Sequence, residues 1–474
     1  MQINATLLLI IEILYLLTVA SIVVVVISEN RNPIKSVAWI MAVVFLPFIG
    51  IIWYATFGQD ATKKHVISKR MYSKLKRRPL DEMETPVEFN VPDEHDNLVS
   101  LLKNLDYNPL LGGNDVKLFT SGTEKFNYLF YDIERAKEHI HIEYYVLIDD
   151  ELGHKLQKAL IKKASEGVEV RIIYDSFGSR KVEERYFEDF RMAGIEVEPF
   201  LKLTWSALTS RLNYRNHRKI VVIDGKIGYV GGMNIADRYI KGLEWGLWRD
   251  THARIVGKGV QGLQSVFLID WYFVSQTLIT SRKYFPSIEN SGTTPMQIVN
   301  SGPLSVANEL SYGITQAIYD AKKNIYIQTP YFLPPDGMLN ALHAAAIRGV
   351  DVRLMMSEKS DIPIVHLASR SYIKNLLKAG VKVYFYTKGF MHSKLIIFDD
   401  SLTLIGSANF DARSMEQNFE VEAFIYDSEI TGKAIDIFVE DQKSTELQNL
   451  KDWIKRPVTK RFIESFLRLF APLL

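Results

Sequence analysis

Apolar residues change their spacing along the chain, and the changes mark out its parts. Leu7 to Ile27 is apolar apart from Glu12 and a few small polar groups. That is long enough for a helix across roughly 30 Å of hydrocarbon. A second apolar stretch follows from Val37 to Phe57, so the pattern predicts an N-terminal two-helix transmembrane hairpin rather than a cleaved signal peptide. Beyond about residue 115, strand-like runs (Val168 to Tyr174, Ile220 to Ile223, Val352 to Met356, Leu395 to Phe398) alternate with helix-like runs (Leu152 to Glu166, Gly337 to Arg348). This alternation predicts an α/β fold in which helices flank mixed β-sheets. At the end, Pro457 to Leu474 places Phe462, Ile463, Phe466, Leu467 and Phe470 on one helical face and Arg461, Glu464 and Arg468 on another. That amphipathic segment suits either a membrane interface or docking on the protein's own core.

Charge refines the membrane part. Arg31 and Lys35 lie between the two apolar stretches, whereas Lys63, Lys64, Lys69, Arg70, Lys74, Lys76, Arg77 and Arg78 follow the second. The positive-inside bias then puts both chain ends on the cytoplasmic side of the cell membrane. The same basic run could attract an anionic membrane surface. From Pro79 to Asp115 the chain turns acidic (Asp81, Glu82, Glu84, Glu88, Asp93, Glu94), as in a connector. The expected domains are therefore a hairpin over 1–60, a basic and acidic linker over 61–114, and two globular domains over 115–290 and 291–474. The net charge of +2 gives no global field for nucleic acid. The absence of cysteine removes disulfides, thiolate nucleophiles and cysteine-based zinc sites.

The two globular domains repeat one another. Ala136-Lys137 precedes a β-rich run (Ile140, Ile142, Tyr144, Tyr145), as Ala321-Lys322 precedes Ile325, Ile327 and Tyr331. Glu166-Gly167-Val168-Glu169-Val170-Arg171 mirrors Arg348-Gly349-Val350-Asp351-Val352-Arg353, and Ala193-Gly194 mirrors Ala379-Gly380. Each copy carries the pattern H-x-K-x4-D-x6-G-(G/S)-x-N. It reads His217, Lys219, Asp224, Gly231, Gly232 and Asn234 in the first copy, and His392, Lys394, Asp399, Gly406, Ser407 and Asn409 in the second. An internal duplication with one histidine and one lysine per half suggests a two-half active site for a phosphodiester.

In a strand, His-x-Lys sends both side chains to one face. Two lysines, with Asn234, Asn409 and close backbone at Gly232 and Ser407, would neutralise phosphate oxygens. One neutral imidazole can attack phosphorus while the other, protonated, donates to the leaving alcohol. Asp224 and Asp399 are grouped with the catalytic set by the motif, but their expected part is to hold the lysine or the turn rather than to do chemistry, and Asp224-Gly225 is a two-residue hairpin signal. Asp250 and Glu420 occupy matching downstream places, and each could accept a histidine ring proton and fix its tautomer. His252, close to Asp250, gets no role. Lysine beside each histidine opposes a metal cation, and no H-E-x-x-H is present. Neither a metal nor another cofactor is expected.

These motifs resemble the HKD motifs of the phospholipase D superfamily. The apolar start, the run Trp248-Arg249-Asp250-Thr251-His252 and the ending Ala471-Pro472-Leu473-Leu474 extend the resemblance over the whole chain to bacterial cardiolipin synthases of the two-HKD type. The resemblance implies duplicated phospholipase D-like domains and a phosphatidyltransferase that condenses two phosphatidylglycerols into cardiolipin and glycerol. It further implies a phosphohistidine intermediate with His217 as nucleophile and His392 as acid and base, and it sets no oligomeric state. Hydrolysis of the phospholipase D kind, or phosphatidylserine synthesis, is the alternative on the same scaffold. A membrane-tethered lipid-binding scaffold is the non-enzyme alternative.

Overall fold

The computed structural model describes residues 5–28, 33–46, 48–54, 75–76, 91–201, 214–303, 305 and 307–471. It separates into two compact units, one containing residues 1–64 and 202–214, the other containing 65–201 and 215–474.

The first unit holds helices α1 (Ala5–Ser28), α2 (Pro33–Phe45) and α3 (Ile49–Trp53). Among the described residues, one helix is long and apolar enough to cross a membrane, over Leu9–Ser28. The second expected span is divided instead: α2 stops at Phe45 and α3 starts at Ile49. Leu46-Pro47 explains the break, because proline opposes helical geometry in the residue before it. Val26, Val43 and Tyr54 nevertheless bury one another, and the Tyr15 hydroxyl donates to the Val43 carbonyl at 3.2 Å. Arg31 and every basic residue of the juxtamembrane run except Lys76 lie outside the described residues, as do the acidic residues Asp81 to Glu88 and the end of the second apolar stretch.

The second unit contains two matching strand sets. The first set comprises β1 (Leu111–Phe119), β2 (His139–Tyr144), β3 (Glu169–Asp175), β4 (Glu196–Phe200), β5 (Lys219–Ile223), β6 (Ile227–Gly231), β7 (Leu247–Arg249) and β8 (His252–Val256). The second half supplies β9 (Thr294–Ser301), β10 (Asn324–Gln328), β11 (Phe332–Leu333), β12 (Asp351–Ser357), β13 (Lys382–Tyr386), β14 (Gly389–Met391), β15 (Leu395–Phe398), β16 (Leu402–Gly406), β17 (Phe410–Asp411), β18 (Glu420–Tyr426) and β19 (Thr445–Leu447). One 15-stranded sheet runs β19-β13-β12-β10-β15-β16-β18-β9-β1-β8-β6-β5-β2-β3-β4. Read outward from the antiparallel β1–β9 junction, β1-β8-β6-β5-β2-β3-β4 matches β9-β18-β16-β15-β10-β12-β13 strand for strand, with β19 as an added edge. In each half the outer three strands are parallel and the inner ones antiparallel.

Neighbouring residues on the motif strands enter different cores, as strand alternation requires. Val221 packs with Phe126, Leu129 and Leu156 on one side, while Ile220 and Val222 pack with Ile255, Val266 and Ile298 on the other. Likewise Ile396 joins the second half's own cluster, while Leu395 and Ile397 join the central one. The central cluster draws on both halves, including Val230, Val421 and Phe438. Helices α4 (Gly259–Ser275) and α5 (Ser428–Gln442) supply Val266 and Phe438 to it. Both faces of these strands are dry, which is why their sequences read as unbroken apolar runs.

Part of the expected connector belongs to this body. A helix over Asp96–Asp106 sends Leu98 and Leu102 into the second half's core. Lys76 is buried, pairs with Asp106 at 2.6 Å and donates to the side-chain Oδ1 of Asn300 at 2.9 Å. It is therefore a structural cation of the folded body rather than a charge offered to lipid.

Candidate active site

The two motif histidines sit just before β5 and β15, and each is fixed by main chain from the opposite half. His217 N donates to the Phe419 carbonyl at 3.0 Å, next to Glu420. His392 N donates to the Arg249 carbonyl at 2.7 Å, next to Asp250, where β14 pairs in parallel with β7. The side chains then cross as well. His217 Nδ1 lies 2.9 and 3.1 Å from the Glu420 carboxylate oxygens, and His392 Nδ1 lies 2.6 Å from Asp250 Oδ2. Each histidine of one half is thus held by the carboxylate of the other. With Nδ1–H donating to a carboxylate, the Nε2 lone pair is left to face a reactant.

The carboxylates have supports of their own. Glu420 accepts from Ser407 Oγ at 2.5 Å and from Asn418 Nδ2 at 3.2 Å. Asp250 accepts from the Thr251 amide at 2.7 Å, and Gly232 faces it so closely that a Cβ there would sit 2.0 Å from Asp250 Oδ1. Gly232 and Ser407, expected at the phosphate, thus also serve the carboxylates: one leaves room for Asp250 and the other donates to Glu420. Asn234 is occupied too, accepting from the Val146 amide at 3.1 Å and donating to the Tyr239 hydroxyl at 2.7 Å. Asn409 differs, since its buried Oδ1 has no hydrogen-bond partner among the described residues.

Lys219 and Lys394 donate to the carbonyls of their own motif histidines, each at 2.5 Å. Lys394 Nζ also lies 2.9 Å from His392 Nδ1 and 3.2 Å from Nε2. All four cationic candidates are buried. Burial holds His217 down at about 4, with Lys219 and Lys394 pressing the same way against the pull of Glu420. His392 is lowered by burial and then by Lys394, Lys219 and His217. Burial also lowers Lys219 to about 7 and depresses Lys394. Among the carboxylates, burial raises Asp250 to about 6, whereas the attraction of His217 and Lys219 outweighs burial and keeps Glu420 low. Burial thus acts against charge on both members of the His392–Asp250 pair. A site in which burial disfavours so many positive charges is one where an incoming anion restores them.

Asp224 and Asp399 do not join this cluster. They lie just past the far ends of β5 and β15, seven residues on from the histidines and roughly 20 Å away along extended chain. The Asp224 carboxylate accepts from the amides of Lys137, Glu138 and His139 at 2.8 to 3.0 Å. The Asp399 carboxylate accepts from those of Lys322, Lys323 and Asn324 at 2.7 to 3.1 Å. Both adopt positive φ, 53° and 51°. Grouping them with the catalytic residues is corrected accordingly: they tie each motif turn to the start of the neighbouring strand.

Several groups around the imidazoles lie outside the motif pattern. Tyr145 meets the His217 ring edge-on at 5.0 Å, while Trp248, Phe390 and Tyr239 surround His392 at 5.2, 5.6 and 6.2 Å. These aromatic groups line the two imidazoles, both of which are buried. Thr251 Oγ1 and Ser393 Oγ meet across the halves at 2.7 Å, and the Arg249 guanidinium pairs with Asp441 at 2.7 Å. Tyr144-Tyr145 at the end of β2 and Trp248 beside Asp250 are the only sequence signals for this lining, because aromatic residues at a strand end are also ordinary core. Among the described residues there is no group of three or more histidine, cysteine, aspartate or glutamate side chains suited to a metal. The donor set argues the same way, since each imidazole Nδ1 is already committed to a carboxylate beside a lysine.

The family model described as cardiolipin synthase, PLD-like domain matches residues 129–250 and 314–442, one match per half. A phospholipase D-nuclease N-terminal model matches residues 16–59. The chain is 40% identical over 475 residues to the major cardiolipin synthase ClsA of Bacillus subtilis, covering 98% of each. It is 39% identical over 473 residues to the cardiolipin synthase of Oceanobacillus iheyensis, covering 97% of this chain and 98% of the relative. The crystal structure of phosphatidylserine synthase from Haemophilus influenzae superposes with a TM-score of 0.62 at 15% identity, over 80% of this chain and all of that one, and so shares the fold. With both motif halves matched and full-length relatives at this identity, the chain belongs to the cardiolipin synthase family of phospholipase D-like proteins.

Proposed function

We propose that this protein is a membrane-bound phosphatidyltransferase that condenses two phosphatidylglycerol molecules into cardiolipin and glycerol. In the first step His217 Nε2 attacks the phosphorus of one phosphatidylglycerol. The P–O bond to its terminal glycerol breaks, and His392 Nε2–H protonates the departing oxygen. In the second, His392 takes the proton from a hydroxyl of another phosphatidylglycerol. That oxygen attacks phosphorus, and the P–N bond to His217 breaks. Lys219 Nζ, Lys394 Nζ and Asn409 Nδ2 donate to the phosphate oxygens, and Glu420 and Asp250 hold the two rings in the required tautomer.

The crossed histidine–carboxylate pairs carry this reading, because each half supplies the partner of the other half's histidine and so ties both motifs to one site. The field exerted by His217 and by both lysines on His392 supports the same convergence. Charge balance fits as well: with both lysines and both carboxylates ionised and the imidazoles neutral, a bound phosphodiester anion leaves room for one proton. That proton makes one imidazole the acid. The aromatic walls favour an alcohol acceptor over water, and anchoring beside a bilayer rich in phosphatidylglycerol keeps that acceptor concentrated.

For the membrane part, the reading is that the second apolar stretch joins α1 in the bilayer as a broken span, with both chain ends cytoplasmic. The packing of Val26 against Val43 and Tyr54 supports a paired insertion. The imbalance between Arg31 and Lys35 and the later basic run supports the orientation. Purified protein in detergent micelles with headgroup-labelled phosphatidylglycerol tests the reaction. Cardiolipin with an equal amount of labelled glycerol is expected, whereas phosphatidic acid as the sole lipid product would replace the synthase by a hydrolase.

A further inference from the structure

An amphipathic helix on a water-facing body turns its apolar stripe inward. Helix α6 (Val458–Arg468) does so only at Leu467, which packs on the second half's core, and leaves most of its apolar residues outside. Its most buried residue is Glu464, 3% exposed, which accepts from Arg456 at 2.7 and 2.9 Å and from Arg370 at 3.3 Å. Its outward residues include Phe462, 69% exposed, with Val458, Ile463 and Phe466, and Leu469 at 74% follows directly. Phe462 and Phe466 stack 6.5 Å apart, and Phe466 meets Phe470 at 5.6 Å, so the exposed rings form one ridge.

The helix is locked in this pose. It lies along the helix over Pro363–Ala379, where Arg370 meets Glu464 and Arg468 lies 4.4 Å over Tyr372. These two contacts set the helices running in the same direction. The segment leading into the Pro363–Ala379 helix carries Asp361, which accepts from the Tyr331 hydroxyl at 2.5 Å and whose charge acts on Lys394. The apolar ridge is thus built onto the element that borders the active site.

We infer that α6 is a second, interfacial membrane contact, its aromatic ridge entering the headgroup and acyl boundary of an anionic bilayer. Charge favours that occupant over a second protein: exposed Lys455 and Lys460 flank the ridge, and Arg461 and Arg468 border it. The ridge would hold the rim of the catalytic body against the surface from which lipid headgroups are drawn. This surface stands apart from the transfer chemistry, and its test reads depth rather than turnover.

The chain has no cysteine, so Phe462→Cys, Phe466→Cys and, as a control on another helix, Lys433→Cys each label at one position with a nitroxide. Full-length protein is placed in nanodiscs of phosphatidylglycerol and phosphatidylcholine. Accessibility to oxygen and to an aqueous nickel chelate is then measured by electron paramagnetic resonance. The labels at 462 and 466 are expected to be at least about fivefold less accessible to nickel than the label at 433, while remaining accessible to oxygen, as in lipid. Nickel accessibility equal to that at 433 would overturn the inference. So would protection from both reagents with spin–spin broadening, which would mean that a second copy covers the ridge.

Discussion

His392 Nδ1 lies 2.6 Å from Asp250 Oδ2, although the two residues belong to different copies of an internal repeat. Glu420 returns the arrangement to His217, so neither half contains a complete histidine–carboxylate pair. The duplication is functional because main-chain pairing of β14 with β7, and of Asn216 with Phe419, swaps the partners.

Asp250→Asn keeps the shape and removes the charge that orients His392. Turnover is expected to fall by about 100- to 10,000-fold with little change in thermal unfolding. Steady-state assays on vesicles containing phosphatidylglycerol check both.

Gly232→Ala places a Cβ where the Asp250 carboxylate now lies. Displacing that carboxylate by about 1 Å is expected to cost about 100-fold in kcat. Ser407→Gly, which gives the second half the first half's residue, removes only one donor to Glu420 and is expected to cost less than about 10-fold.

Asp399→Ala leaves the amides of Lys322, Lys323 and Asn324 without their acceptor. A loss of about 3 kcal/mol in stability is expected, with kcat per folded molecule largely kept. Denaturant unfolding measured alongside activity separates this from a catalytic role, which would give the reverse pattern.

Burial holds His139 and His217 at about 4, below their ordinary 6.5. Between those values the unfolded chain binds more protons than the folded one. Stability is therefore full above pH 6.5 and declines as pH falls toward 4, by up to ~3 kcal/mol per histidine. Thermal unfolding between pH 7.5 and 4.5 should show the decline, and His139→Phe should flatten it.

Chelator treatment is expected to leave cardiolipin formation unchanged, since lysines and imidazoles meet the phosphate charge. Loss of activity with EDTA, restored by one divalent ion, would contradict that mechanism.

Much of the site was legible in the sequence. His217, Lys219, His392 and Lys394 stand out because the pattern recurs, and Leu395–Phe398 is a strand in both reading and structure. Asp250 and Glu420 were legible as histidine partners but not as exchanged ones, because exchange depends on tertiary pairing between short segments. Asp224 and Asp399 were legible as turn residues, but not the three amides that each one caps, because those lie at the start of a neighbouring strand. The bonds of Ser407 to Glu420 and of Asn234 to Tyr239 were not legible, because the partners lie at other places in the sequence. The amphipathic character of α6 was plain, but its orientation depends on Arg370 and Arg456, which sequence periodicity does not connect to Glu464.

The most direct measurement is rapid quenching of the full-length protein during turnover of phosphatidylglycerol labelled at phosphorus, followed by peptide mapping. Label on the peptide carrying His217, absent in His217→Ala, is the expected result. Label on the His392 peptide instead, or no covalent label while cardiolipin forms, would contradict the account.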